Sequence, residues 1–130
     1  MDHRIKTIVS LIHDDLRNSP SLDQMAEFVR LSPSRLNRIF KMETNVSFAQ
    51  YVKSLRLSRA RNLLETTFLN IKETMTNVGL NDLSHFVRDF KKAFGMTPSE
   101  YRSQQFQLLP KSPQFRNNKL SQRTRKLAKK

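Results

Sequence analysis

The sequence predicts an all-α fold of about seven helices, and three observations carry that expectation. Gly occurs only twice in 130 residues. Apolar residues recur at helical spacing almost throughout, with little strand-like alternation. Ser and Pro, the residues that start helices, stand just ahead of several apolar stripes.

The elements follow in order. From about Arg4 to Arg17, Ile5, Ile8, Val9, Ile12 and Leu16 form one stripe, and Asn18-Ser19-Pro20 ends it. Ser21 can cap a short helix carrying Leu22, Met25, Ala26 and Val29. Ser32 can cap a third, with Pro33 in the first turn, where its missing N–H costs nothing, and with Leu36, Ile39 and Phe40 inward. From Ser47 the pattern Phe48, Tyr51, Val52, Leu55, Leu63, Leu64 runs for about twenty residues, with Arg59 and Ala60 between its halves. At 1.5 Å per residue that is a helix of roughly 30 Å. A short helix over Ile71 to Val78, a turn holding Gly79, and a helix from about Asp82 to Ala93 come next. Gly95 ends the latter, and a last short helix begins near Pro98. Beyond Phe106 the chain is polar, with two prolines, and the expectation for 107–130 is a disordered tail with at most a weak helix in "LSQRTRKLAKK".

Composition narrows the function classes. The absence of cysteine excludes a disulfide scaffold, a thiolate zinc site and a cysteine nucleophile. No apolar run reaches the roughly 18 to 20 residues of a membrane span, and "MDHRIKTIV" is no export signal, so the default expectation is a cytoplasmic protein without a membrane partner. The net charge is +13. Up to Phe106 sixteen Lys and Arg face eleven Asp and Glu, whereas 107–130 carries eight basic residues and no acid. Such a balance calls for a polyanionic partner. The tail would either add sequence-independent affinity for phosphates, steepening the salt dependence by about 0.9 per phosphate neutralised, or serve solubility alone.

The body contains a repeat. At an offset of 49, Leu22, Val29 and Leu31 meet Ile71, Val78 and Leu80. At an offset of 50, Ser34, Leu36, Arg38, Phe40, Lys41, Val46 and Tyr51 meet Ser84, Phe86, Arg88, Phe90, Lys91, Met96 and Tyr101. The one-residue change of register falls in the turn between two short helices, where an insertion disturbs least. A short helix, a tight turn and a second amphipathic helix, occurring twice, describe a pair of helix-turn-helix units, about 22–44 and 71–94, joined by a linker helix at about 47–66. In such a unit the second helix lies in the major groove, and sites on one DNA face recur about every 34 Å. A linker of roughly 30 Å could therefore hold two reading helices about one helical turn apart, letting a monomer engage an asymmetric site.

The segment "LSPSRLNRIFKMETNVSFAQYVKSLRLSRARNLL" and, more diagnostically, "VGLNDLSHFVRDFKKAFGMTPSEYR" resemble the DNA-binding domain of the AraC/XylS transcriptional regulators. The resemblance covers about Leu22 to Arg102, and the domain is placed at 1–106. It implies two helix-turn-helix units on a long helix, binding successive major grooves of double-stranded DNA and contacting RNA polymerase. Fuller members carry an N-terminal sensor domain. This chain begins at the first helix and is expected to be a stand-alone member or an excised domain. It departs from the family at Asn45, where Gly is usual, at Thr74 and Met75, where Ile and Ala are favoured, and at Leu80, where Phe is favoured.

The outward positions of the first reading helix are Ser34, Arg35, Asn37, Arg38 and Lys41. Arg can bond guanine bidentately and Asn can do the same to adenine, so Asn37 and Arg38 are the foremost base readers, with Ser34 and Arg35 beside them. The competing reading, a solvated basic face, is weakened by the recurrence of Arg38 as Arg88. In the second reading helix the candidates are Leu83, Ser84, Val87 and Arg88. Leu83 and Val87 can touch thymine methyls but offer no hydrogen bonds, and Val87 could equally be packing. This half is expected to lean on phosphate contacts and DNA shape. Ser32, Lys41, Ser47, Lys91, Lys92 and the N–H groups at helix starts are the candidate phosphate contacts.

No catalytic constellation is apparent. His3, His13 and His85 are too scattered for a metal site, and adjacent Asp14 and Asp15 point apart on a helix. Phe86, Phe90 and Phe94 are core rather than a stacking platform. No cofactor is implied. The resulting expectation is a sequence-specific regulator of transcription, more an activator than a repressor, and not an enzyme. The alternative is a nonspecific or architectural nucleic-acid-binding protein driven by charge.

Overall fold

The computed structural model describes residues 1–108, and all the regular structure among them is helical. The seven helices are α1 (His3–Asp14), α2 (Leu22–Val29), α3 (Pro33–Thr44), α4 (Phe48–Thr66), α5 (Ile71–Asn77), α6 (Leu83–Phe94) and α7 (Pro98–Gln107). The expected tail lies, apart from Gln107 and Leu108, outside the described residues.

Local chemistry sets most boundaries. The side chains of Ser21, Ser32, Ser47, Asn70 and Asp82 each accept a backbone N–H three residues on, satisfying a donor that the first turn leaves unpaired. Ser21 with Gln24, and Asn70 with Glu73, make reciprocal capping boxes. Asp2 caps α1 and also holds the Arg4 guanidinium at 3.1 Å. That side-chain bond, reinforced by the Arg4 N–H, draws the Asp2 carboxyl down to about 2. Helix α1 stops at Asp14, short of the expected Arg17, because the Asp15 side chain accepts the Asn18 N–H at 3.2 Å and offers the backbone a local turn instead.

Residues Met1–Ser99 form one compact unit, and a second begins at Glu100. In the first, Ile5, Ile8 and Ile12 of α1 are fully buried with Met25, Ala26, Leu36, Phe40, Phe48 and Val52. Phe40 meets Phe48 and Tyr51 edge-on at ring separations of 5.6 and 5.2 Å. Helix α4 buries Phe48 and Val52 near its start, then Leu57, Ala60 and Leu64. Five residues separate Val52 from Leu57, which turns the second stripe by about 140° from the first. The single stripe expected from the sequence is thus two, one facing each helix-turn-helix, with Leu57 buried and Leu63 only partly so. Met75, Val78, Phe86 and Phe90 complete the buried set on α5, its cap and α6. Thr74 is fully buried, and its hydroxyl donates to the Asn70 carbonyl at 2.8 Å, so this polar departure leaves no unsatisfied group. Arg56 of α4 donates to the Leu16 carbonyl at 3.1 Å and to the Ser19 hydroxyl at 3.3 Å, tying the linker to the exit of α1, and burial lowers its pKa. In the second unit, the Arg102 guanidinium lies 5.8 Å from the centre of the Phe106 ring.

Candidate nucleic-acid interface

Both turns close in the same way. Leu31 donates its N–H to the Ala26 carbonyl at 2.9 Å, and Leu80 donates to Met75 at 3.1 Å. A left-handed residue precedes each: Arg30 at φ 63° and Gly79 at φ 92°. Leu31 alone separates Arg30 from the next cap, Ser32, whereas Leu80 and Asn81 separate Gly79 from Asp82. That extra residue accounts for the change of register in the repeat. Helices α3 and α6 then run for twelve residues each and end in left-handed caps, Asn45 at φ 69° and Gly95 at φ 86°. Asn45 therefore does the job of the glycine it replaces, as Asn can.

On α3, Leu36 and Phe40 are buried, while Ser34, Arg35, Arg38 and Lys41 are exposed. The cationic side chains of that set form no ion pair among the described residues. On α6, Phe86 and Phe90 are buried, Leu83 is 45% exposed, and Ser84, Arg88, Lys91 and Lys92 are exposed. Val87 is half-buried. Arg88 is not electrostatically free: its Nε lies 3.5 Å from Asp89, whose other oxygen lies 3.4 Å from Lys53 of α4. Asp89 and Lys92 line a cleft of about 360 Å³ with Lys53, Leu57 and Phe94. The Arg61 guanidinium stacks over Phe94 at 4.4 Å and adds a second tie between α4 and α6.

A helix-turn-helix domain family matches residues 25–104. A transcriptional regulator from Chromobacterium violaceum, described as an AraC-type DNA-binding-domain protein, superposes with a TM-score of 0.71 at 31% identity. The match covers 82% of this chain and 95% of that one. The chain belongs to the AraC/XylS family of helix-turn-helix transcriptional regulators. Among further AraC-family relatives, the arabinose operon regulatory protein of Escherichia coli K12 is 38% identical over 104 residues, covering 79% of this chain and 36% of that protein. The transcriptional activator RhaR of Mannheimia succiniciproducens is 33% identical over 100 residues, 77% of this chain and 36% of that protein. The chain thus spans about a third of the length of these curated relatives.

Within this AraC-type domain, the structure brings the candidate base-reading residues onto two equivalent helices, with one exception of emphasis. Asn37 is half-buried, and its Oδ1 accepts the Phe48 N–H at 3.0 Å. The amide expected to face adenine is anchored to the first turn of the linker. Ser32 and Ser47 spend their oxygens as acceptors for Arg35 and Gln50 N–H groups, at 3.2 and 3.1 Å, and keep their hydroxyl protons for donation. Periodicity alone did not point to Lys53, Arg61 or the bond from Asn37. The signal for the last was present in the repeat: Asn37 and Phe48 correspond to Val87 and Pro98.

Proposed function

We propose that this AraC-type domain binds double-stranded DNA sequence-specifically as a monomer, placing α3 and α6 in successive major grooves. The observation that carries the reading is the recurrence of one exposed arginine, Arg38 and Arg88, at the same place on two reading helices attached to one linker. At 19 residues α4 is about 28 Å long, close to the roughly 34 Å between grooves on one DNA face. Base edges fall to Ser34, Arg35 and Arg38 in one groove and to Leu83, Ser84, Val87 and Arg88 in the other. Ser32, Lys41, Ser47, Lys91 and Lys92 hold phosphates.

The domain occupies 1–106, and the eight basic residues of 107–130 either add sequence-independent phosphate affinity or serve solubility alone. Regulation takes the form of activation, supported by the relative named a transcriptional activator, in the cytoplasm and with RNA polymerase as the protein partner. Selection from random duplexes at moderate salt tests the function. An enriched motif of two unequal halves about 10 base pairs apart is the expected result. Binding without any enriched motif would leave a charge-driven, nonspecific protein instead.

A further inference from the structure

Asn37 sits between two jobs, and the internal repeat separates them. Phe48 is the first residue of α4, so its N–H is one of the donors a helix start leaves unpaired, and it is buried with the Phe48 side chain at 6% exposure. The only side-chain acceptor it has among the described residues is Asn37 Oδ1, reaching across from the reading helix at 3.0 Å. In the second copy, the residue equivalent to Phe48 is Pro98, also buried and also the first residue of its helix, but with no N–H to satisfy. The residue equivalent to Asn37 is Val87, which has no acceptor to give. Donor and acceptor are present together in one copy and absent together in the other. A residue chosen solely for a base edge would have no reason to follow the N–H of a position eleven residues on.

Building on the proposed DNA-binding reading, we propose that Asn37 is a positioning residue. Its amide locks reading helix α3 to the first turn of linker α4, and through α4 fixes where the second reading helix lands. Base discrimination in the first groove then rests on Arg38, Arg35 and Ser34. Recognition groups must be held within about 0.5 Å and 10 to 20° to work, so a lock at the joint between head and spacer governs the spacing of the two half-sites.

The test uses the full chain with Asn37→Val and with Asn37→Asp, which keeps the acceptor. Asn37→Val is expected to lower Tm by about 5 °C, the loss of one buried hydrogen bond in a domain of this size. Asn37→Asp should hold Tm near that of the unmodified chain. In duplex selection, Asn37→Val should enrich the same bases at every position. One base pair inserted between the half-sites should weaken the unmodified chain about tenfold or more, and Asn37→Val by less than about threefold. Two outcomes overturn the proposal. One is loss of preference at a single base pair with Tm unchanged, which makes Asn37 a base reader. The other is a lower Tm with an undiminished insertion penalty, which makes the bond merely structural. If the unmodified chain enriches no motif, the DNA-binding reading fails, while the Tm comparison still reports on the lock.

Discussion

Arg30 and Gly79 hold the same left-handed backbone position in the two helix-turn-helix turns, at φ 63° and 92°. Their surroundings differ. A Cβ on Gly79 would sit 2.5 Å from the carbonyl oxygen of Arg17, a backbone atom that cannot swing aside, whereas Arg30 is exposed. The segment leaving α1 passes close over the second turn.

Gly79→Ala therefore combines the left-handed penalty of about 1 to 2 kcal/mol with a clash against rigid backbone, a total of roughly 3 kcal/mol. Arg30→Ala, already left-handed and in open solvent, should cost less than about 1 kcal/mol. Urea unfolding of the two variants checks this through their midpoints. Equal shifts would show that the close approach of Arg17 carries no energetic weight.

Much of this fold was legible because it rests on local chemistry. Ser21 and Ser32 cap helices, Pro33 sits where its missing N–H is harmless, and Met25, Ala26, Leu36, Phe40, Phe86 and Phe90 are buried as their spacing implies, with Ile39 and Phe94 half-buried beside them. The misreadings involve residues answering to something other than their own helix. Asp15 ends α1 early by competing for the Asn18 N–H. Helix α4 serves two cores on two faces, so no single period describes it, and Leu57 falls outside the stripe that Phe48 and Val52 begin. Helical spacing puts Asn37 outward on α3, but it is silent about an unpaired N–H at the start of another helix. Nor does spacing along α6 reveal that Lys53 approaches Asp89 from the linker.

The exposed guanidinium of Arg38, without an ion pair among the described residues, contrasts with Arg88, which shares Asp89 with Lys53. Arg38→Ala is expected to weaken specific binding by about 1 to 3 kcal/mol and to relax one base position in the first half-site. Arg88→Ala should cost less, since a charge already partly compensated gives up less on removal. Competition binding against a panel of singly substituted duplexes distinguishes them. A uniform loss across the panel would make Arg38 a phosphate contact.

Asp2 sets a pH limit at the other end of the chain. Its carboxyl is held at about 2 against an ordinary 3.8, because the charged form accepts from Arg4 twice, at the guanidinium and at the backbone. A depressed folded pKa means stabilisation that is complete above about pH 4 and is lost as pH falls through 4 toward 2. Carbon-detected NMR titration of the Asp2 carboxyl should place its midpoint well below that of an unstructured Asp. Asp2→Asn, still able to cap α1, should flatten that part of the acid limb. A midpoint near 3.8 would remove the Arg4 contact from the account.

Asp89 is the one acid on α6, turned toward α4, its side chain 18% exposed and its two oxygens near Arg88 and Lys53. It occupies two cations that could otherwise neutralise phosphate. Asp89→Asn removes the charge while keeping the shape and one acceptor. Overall affinity should rise, and the slope of log K against log salt should steepen by about 1 to 2, as each released cation displaces about 0.9 of a counterion. The gain should be largest on nonspecific DNA, because a freed lysine and arginine attract any phosphate, so discrimination between the selected site and random sequence should fall. Filter-binding or fluorescence titrations at several salt concentrations, on both DNAs, measure all three quantities. An unchanged slope with lower stability would instead assign Asp89 to holding α6 on α4, with its charge already spent on Lys53.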